Sequence, residues 1–392
     1  MANLIPLNGL KLNHITSRIF DFAESEFGHR FGFLIDVPAE PGDDTSQWRE
    51  QRAMVMTCAR MLDNFQHACM VYAYQSVGKN NGELIYPVHA IALCDDIPPC
   101  AVALESYAGE VCEIDEVYNR AEYWVVFSQY SATLPIKLAA ARYGFRAVTI
   151  PGFTKRMLPA LRLDVAELDK RIVLLTQALT EAHTADITFN VNGKSYNLAV
   201  DLRYRMGIGL CGSVSSCGQI ACLPPGESYI APYESEKCGL ISFTSGILPL
   251  ERDGEIIICE VSENRIVCVD GNNAFADSLR HAISREPARA NIAKLGLGIL
   301  GDWGIQPIGD RLHDEKLALH IGLGRSDHLG GVTSPSDFRT AKNVSHIDYI
   351  YHPALMPHIR ITQARLQFDN HTAAFMKDSR YIYDELLSDT TL

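Results

Sequence analysis

The chain has 392 residues, 47% of them hydrophobic and 21% charged, enough for two or three domains with sizeable cores. The formal net charge is −12 and no Lys/Arg-rich run occurs, which argues against nucleic acid and against an anionic membrane surface, since both need a basic footprint. Eleven cysteines without a CxxC pair fit reduced thiols rather than a disulfide framework. With no signal-peptide-like start and no apolar run of about 18 residues, the expected location is the cytoplasm.

In chain order, the first half alternates between strand and helix. GFLIDV (32–37) suits a buried strand. Residues 48–65 carry a helical apolar period through Met54, Cys58, Met61, Leu62 and Phe65, and ACMVYAY (68–74) follows as a strand. YWVVF (123–127), an Ala/Leu-rich helix stopped by Gly144, and RAVTI (146–150) predict a parallel βαβ crossover. DVAELDKRIVLLTQALTEA (164–182) predicts a long amphipathic helix.

Near residue 185 the texture changes. ITFNV and KSYNLAV flank Asn192-Gly193, a strong hairpin signal, and GEIIICEV–SEN–RIVCVDG (254–271) predicts a second hairpin. One helical stretch, 274–294, interrupts these strands. The expectation is therefore an α/β domain over 1–185 with parallel βαβ units, and a mainly antiparallel α+β domain over 186–392.

Seven of the thirteen histidines lie after residue 300. DEKLALHIGLG (314–324) delivers His320 from an alternating strand, with Gly322 and Gly324 leaving room beside it. In SHIDYIYH (345–352), His346 and Asp348 are two apart, so an extended strand projects both to one face. Two histidines and a carboxylate form the ligand set of a facial triad. A lone His-x-Asp pair more often makes a surface hydrogen bond, and a lone buried histidine is more often a satisfied core residue; their joint Gly-rich strand context raises the metal reading. In LPPGESYIAPYESE (223–236), two prolines and a glycine present Glu227 as a ligand or general base. Glu234 and Glu236 read as a solvated acidic loop. The Gly-rich stretches near 207–212 and 295–302 lack the phosphate-cradling pattern. Cys211, Cys217 and Cys222 lack zinc-finger spacing.

AVTIPGFTKRMLP, LAVDLRYR, CLPPGESYIAP, DEKLALHIGLG and SHIDYI resemble, in order, blocks of the aminopeptidase T family of metallopeptidases and of its relative 2,5-dihydroxypyridine 5,6-dioxygenase. The resemblance spans roughly residues 120–352. It implies an aminopeptidase T-like fold, a β-rich metal domain and a homodimer. Carried over by position, it implies His320, His346 and Asp348 as metal ligands and Glu227 as the glutamate of the PPGE block. The peptidases hold two metals and use a second glutamate where this chain has Lys294. Their metal-adjacent tyrosine is replaced by Asp327 or His328, so His328 joins Glu227 as a catalytic candidate. An ammonium repels a second cation, so the departure favours one ion.

The reading is then a mononuclear non-haem Fe(II) enzyme, dioxygenase-like, acting on an aromatic or heterocyclic small molecule. One alternative is a metallo-aminopeptidase with Zn or Co acting on a peptide substrate. Another is an inactive, peptide-binding member of the family.

Overall fold

A computed structural model describes residues 9–76, 87–237 and 239–387. The first eight residues, part of the segment read above for a leader, lie outside the described residues. The chain forms two compact units, residues 1–169 with 211–225, and residues 170–210 with 226–392. The change of unit thus falls at 169/170 rather than near 185, and residues 211–225 return to the first unit. Among the described residues, no helix is long and apolar enough to cross a membrane.

The first unit is built on a seven-stranded sheet. In spatial order its strands are Ile220–Cys222, Arg146–Pro151, Tyr123–Ser128, Arg30–Val37, Ala68–Gln75, Pro87–Ile91 and Val111–Glu113. The first five run parallel and the last two pair antiparallel. All six residues of Tyr123–Ser128 are buried, as a strand covered on both faces requires. The expected βαβ crossover is present, with the helix Thr133–Tyr143 ending at Gly144, whose φ of 77° is a left-handed cap. Gly32 lies opposite Trp124 in the register, and the indole ring fills the space a Cβ would take.

The second unit holds two antiparallel sheets. The larger has eight strands, which include both predicted hairpins. Asn192 and Gly193 have φ of 50° and 85°, the two-residue turn expected of Asn-Gly. The second hairpin also turns on two residues, Glu263 and Asn264, because Ser262 already pairs with Arg265. The predicted helix over 274–294 stops at Arg285. Pro287 disfavours helical backbone before it, and residues 292–298 form a strand instead.

The smaller sheet positions the candidate site. Its spatial order is His346–Ile350, Leu319–Gly324, Ile292–Gly298, Glu227–Ile230 and Ile208–Leu210. Every residue of the two strands 292–298 and 319–324 is buried.

Candidate metal centre

Antiparallel register sets which side chains share a face, because directly paired residues point the same way. His320 pairs with Gly296 and Ile350, Gly322 with Lys294 and Asp348, and Gly324 with His346. Glu227 pairs with Gly298 and Tyr229 with Gly296. Glu227, Tyr229, Lys294, His320, His346 and Asp348 therefore rise from one face of one sheet. A bulge between Ile292 and Lys294 sets the register of this stretch.

Glycines make room for these groups. A Cβ at Gly296 would overlap Nε2 of His320. A Cβ at Gly322 would lie 2.7 Å from His346 Cε1, 2.8 Å from Lys294 Cβ and 2.9 Å from Asp348 Oδ1. The stretch near 295–302, dismissed above as a phosphate loop, is thus a cradle for the imidazole.

The side chains form two linked pairs. His346 Nε2 is 3.1 Å from Asp348 Oδ1, and His320 Nε2 is 3.1 Å from Glu227 Oε1. Each histidine makes a second contact, Nδ1 of His346 with the carbonyl of Arg325 at 2.8 Å and Nδ1 of His320 with the carbonyl of Ala318 at 3.0 Å. A carbonyl can only accept, so both Nδ1 atoms carry hydrogen. In neutral rings, both Nε2 lone pairs then point at carboxylate oxygens, which is repulsive unless a proton or a cation lies between. Both Glu227 oxygens and His320 Nε2 are buried without a well-aligned hydrogen bond. Ligand atoms about 2.1 Å from one ion sit about 3 Å apart at right angles, so each 3.1 Å separation suits a cation held between the two members of its own pair. Backbone carbonyls holding Nδ1–H are the usual orientation of ligating histidines.

Lys294 lies between the pairs. Its Nζ is 2.5 Å from Glu227 Oε1, 3.2 Å from Glu315 Oε2 and 5.0 Å from the Tyr229 ring centre. Burial opposes its charge, but Glu227, Glu315 and Asp348 outweigh burial and raise its pKa. Burial likewise works against ionised Glu227, yet Lys294 and His320 hold its pKa below the ordinary range. Asp348 is also lowered, its burial overcome by His346, Lys294 and His320. Glu315 goes the other way, raised by burial and by the neighbouring Glu227 charge. His320 is raised: burial and Lys294 push it down, and Glu227 and Asp348 overcome them.

Among the described residues, the three potential ligands whose donor atoms all lie within 4.8 Å of one another are Glu227, Glu315 and His320. The expected trio His320, His346 and Asp348 is not such a set; His320 joins Asp348 as a diagonal neighbour across the strand pair and through their mutual electrostatic interaction. Sequence reasoning missed Glu315, whose 3-10 turn, Glu315–Leu317, brings it back toward Lys294.

Glu227, Lys294, Glu315, His328, His346 and Asp348 line one cleft of about 530 Å³. His328 stands edge-on to His346, with ring centres 5.3 Å apart. Burial, His346 and Arg325 lower its pKa to about 4, so it is neutral near pH 7. Glu234, read above as a solvated residue, instead pins the loop that carries His328. It accepts hydrogen bonds from Ser326 Oγ at 2.5 Å, Thr333 N at 3.0 Å and Thr333 Oγ1 at 2.6 Å. Glu236 is held by Arg205.

Comparison of the whole fold with solved structures finds 2,5-dihydroxypyridine dioxygenase from Pseudomonas putida KT2440, at a TM-score of 0.56 and 12% identity, over 97% of this chain and 99% of that one. It also finds wild-type AmpT from Thermus thermophilus, at 0.50 and 12% identity, over 95% and 99%. The chain has the aminopeptidase T-like fold. The resemblance read from short sequence blocks thus holds as a likeness of fold across nearly the whole chain. No family model matches the sequence, and no curated protein matches it.

Proposed function

We propose that the chain is a metal-dependent enzyme of the aminopeptidase T-like fold, with a single ion whose ligands are His320, His346 and Asp348, drawn closer together around it than they stand here, and with Glu227 in the same cluster. The observation that carries this reading is the pair of Nε2 atoms facing carboxylate oxygens at 3.1 Å while each Nδ1–H is tied to a backbone carbonyl. Both structural neighbours are named as enzymes or enzyme families, which supports catalysis in general.

Within that reading we favour the mononuclear non-haem iron, dioxygenase-like activity on an aromatic or heterocyclic small molecule. The support is Lys294, whose ammonium is already held against Glu227 and Glu315 and repels a second cation. Two histidines and one carboxylate with open positions suit Fe(II), which when bound supplies the binding of oxygen.

The residues around the cleft have separable roles. Neutral His328 hydrogen-bonds a hydroxyl of the bound molecule. Burial and the Glu227 charge raise the Glu315 pKa while Lys294 and His320 lower that of Glu227, so Glu315 is the better proton donor of the two and Glu227 the better cation ligand. Arg311 and Arg325, also lining the cleft, orient an anionic ring substituent.

The metallo-aminopeptidase alternative draws on one observation, the Glu227–Glu315–His320 set, which would bind a further cation if Lys294 moved away. Elemental analysis of anaerobically purified protein separates the readings. One iron per chain is expected. Two divalent ions would favour the hydrolase, and none the inactive peptide-binding reading. Homodimerisation and a cytoplasmic location remain part of the proposal, checked by light scattering and fractionation.

A further inference from the structure

The orientation of His346 is set from outside the cleft. Its Nδ1–H donates to the Arg325 carbonyl at 2.8 Å, which fixes the direction in which Nε2 points. Arg325 lies one residue past the strand Leu319–Gly324, and the ladder with His346–Ile350 ends at the pair Gly324 and His346. The Arg325 carbonyl shares one planar peptide unit with the Ser326 N–H. Whatever holds Ser326 therefore holds the acceptor of His346.

Glu234 holds Ser326 by two routes. The direct one is the Ser326 hydroxyl, which donates to Glu234 Oε1 at 2.5 Å. The indirect one runs through Thr333, whose N–H and hydroxyl donate to Glu234 Oε2 and whose carbonyl accepts the Ser326 N–H at 2.9 Å. Ser326 is fully buried and Thr333 nearly so, which shields these bonds from competing water. Gly331 permits the closure, because a Cβ there would overlap both Glu234 Oε1 and Ser326 Oγ. The base of the clamp is fixed as well. The preceding residue, Tyr233, is fully buried, its N–H donates to the Asp201 carbonyl at 2.8 Å and its hydroxyl to the Leu240 carbonyl at 2.9 Å.

We propose that Glu234 is a positioning residue of the metal site, which orients His346 through Ser326 and the Arg325 carbonyl without touching the ion. The inference rests on His346 being a ligand, as proposed above. Glu234 acts here as a hydrogen-bond acceptor and not as a charge. A glutamine in its place can turn its carbonyl toward the two Thr333 donors and its NH2 toward Ser326, whose hydroxyl oxygen can accept. All three contacts survive in that arrangement, and alanine keeps none of them.

Anaerobic titration of the full, metal-free chain with Fe(II), repeated with Zn(II), tests this, with a thermal melt of each variant to establish that it is folded. Glu234→Ala should weaken metal binding by about tenfold, the lower end of what losing an orienting group costs. Glu234→Gln should stay within about threefold of the wild type, since only one contact changes its direction. Hydrogen exchange of the amides between Ser326 and Thr333 in metal-free protein should speed up in Glu234→Ala and not in Glu234→Gln. If Glu234→Ala does not fold, Ser326→Ala carries the test, with about threefold weakening expected from loss of the direct route. The proposal is overturned if the folded alanine variant binds metal like the wild type while His346→Ala does not. It is equally overturned if Glu234→Gln is as weak as Glu234→Ala, since the charge would then be what matters. Wild-type affinity in His346→Ala itself would instead remove the ligand assignment, and this proposal with it.

Discussion

Interior strands of two sheets, the mainly parallel one in the first unit and the five-stranded one in the second, look alike by burial. Tyr123–Ser128 and Leu319–Gly324 are each buried at all six positions. Their contents differ. In the first unit the strand sends Trp124 and Val126 into an apolar core shared with Leu34 and Ala147. In the second, Gly322 and Gly324 follow His320 on one face, and the space over Gly322 holds His346, Lys294 and Asp348, with Lys294 and His320 themselves 3% exposed or less. Burial alone therefore does not separate a strand that stabilises from one that presents a site. What separates them is whether the small residues sit under aromatic rings or under ionisable groups.

Substitutions on the two sheets can break or sharpen this contrast. The largest effect is expected of His346→Ala. Losing a group that only hydrogen-bonds and orients a ligand costs about ten- to a hundredfold in metal affinity, and losing the ligand itself should cost at least about a hundredfold. Unfolding should be little changed, because His346 lies at the cleft. Metal titration followed by a thermal melt checks both, and retained affinity would remove His346 from the ligand set.

Next comes Lys294→Met, which strands Glu227 in a buried position. Breaking one side of a buried pair costs about 3–5 kcal/mol. Denaturant unfolding of metal-free protein measures it, and a cost below about 1 kcal/mol would mean that Glu227 does not depend on the ammonium.

The first unit has its own buried carboxyl, Asp36, whose two oxygens share the one backbone N–H of Gln129 at 2.9 and 3.1 Å. Burial pushes its pKa up to about 7, against the lowering effect of that shared bond. The folded chain thus keeps a proton between about pH 4 and pH 7 that the unfolded chain has released. Stability should fall as pH rises across that window, by about 2–4 kcal/mol, and level off above it. Asp36→Asn should flatten the profile; an unchanged slope would assign it to other groups.

The smallest effects come from a matched glycine pair. Gly32→Ala meets the Trp124 ring, and Gly322→Ala meets His346, Lys294 and Asp348. Each should cost about 1–3 kcal/mol through overpacking. Only Gly322→Ala should also weaken metal binding. Equal metal affinity in the two variants would undo the distinction between the sheets.

Much of this was legible in the sequence for a physical reason. Period-two alternation placed His346 and Asp348 on one face, and their facing atoms are 3.1 Å apart. The βαβ run and the Asn192-Gly193 hairpin were legible because they depend on neighbours in the chain. Glu315 was not, because its approach to Lys294 depends on a 3-10 turn and a sheet register spanning tens of residues. Gly296 was hidden likewise, since only pairing with His320 reveals its purpose. The helix over 274–294 was overextended because the apolar run 292–297 fits either element, and Pro287 decided between them. The crossing between units escaped notice because Ile220–Cys222, only three residues long, joins the parallel sheet from a stretch of hairpin texture.

The clamp made by Glu234 has a thermodynamic consequence. Ordering a loop backbone costs about 1–2 kcal/mol per residue in conformational entropy. Three hydrogen bonds donated to one carboxylate already fix both ends of the segment between Ser326 and Thr333. An arriving molecule meets His328 on a segment whose disorder was surrendered when the chain folded. The enthalpy of that contact then appears as affinity, rather than being consumed in arranging the loop.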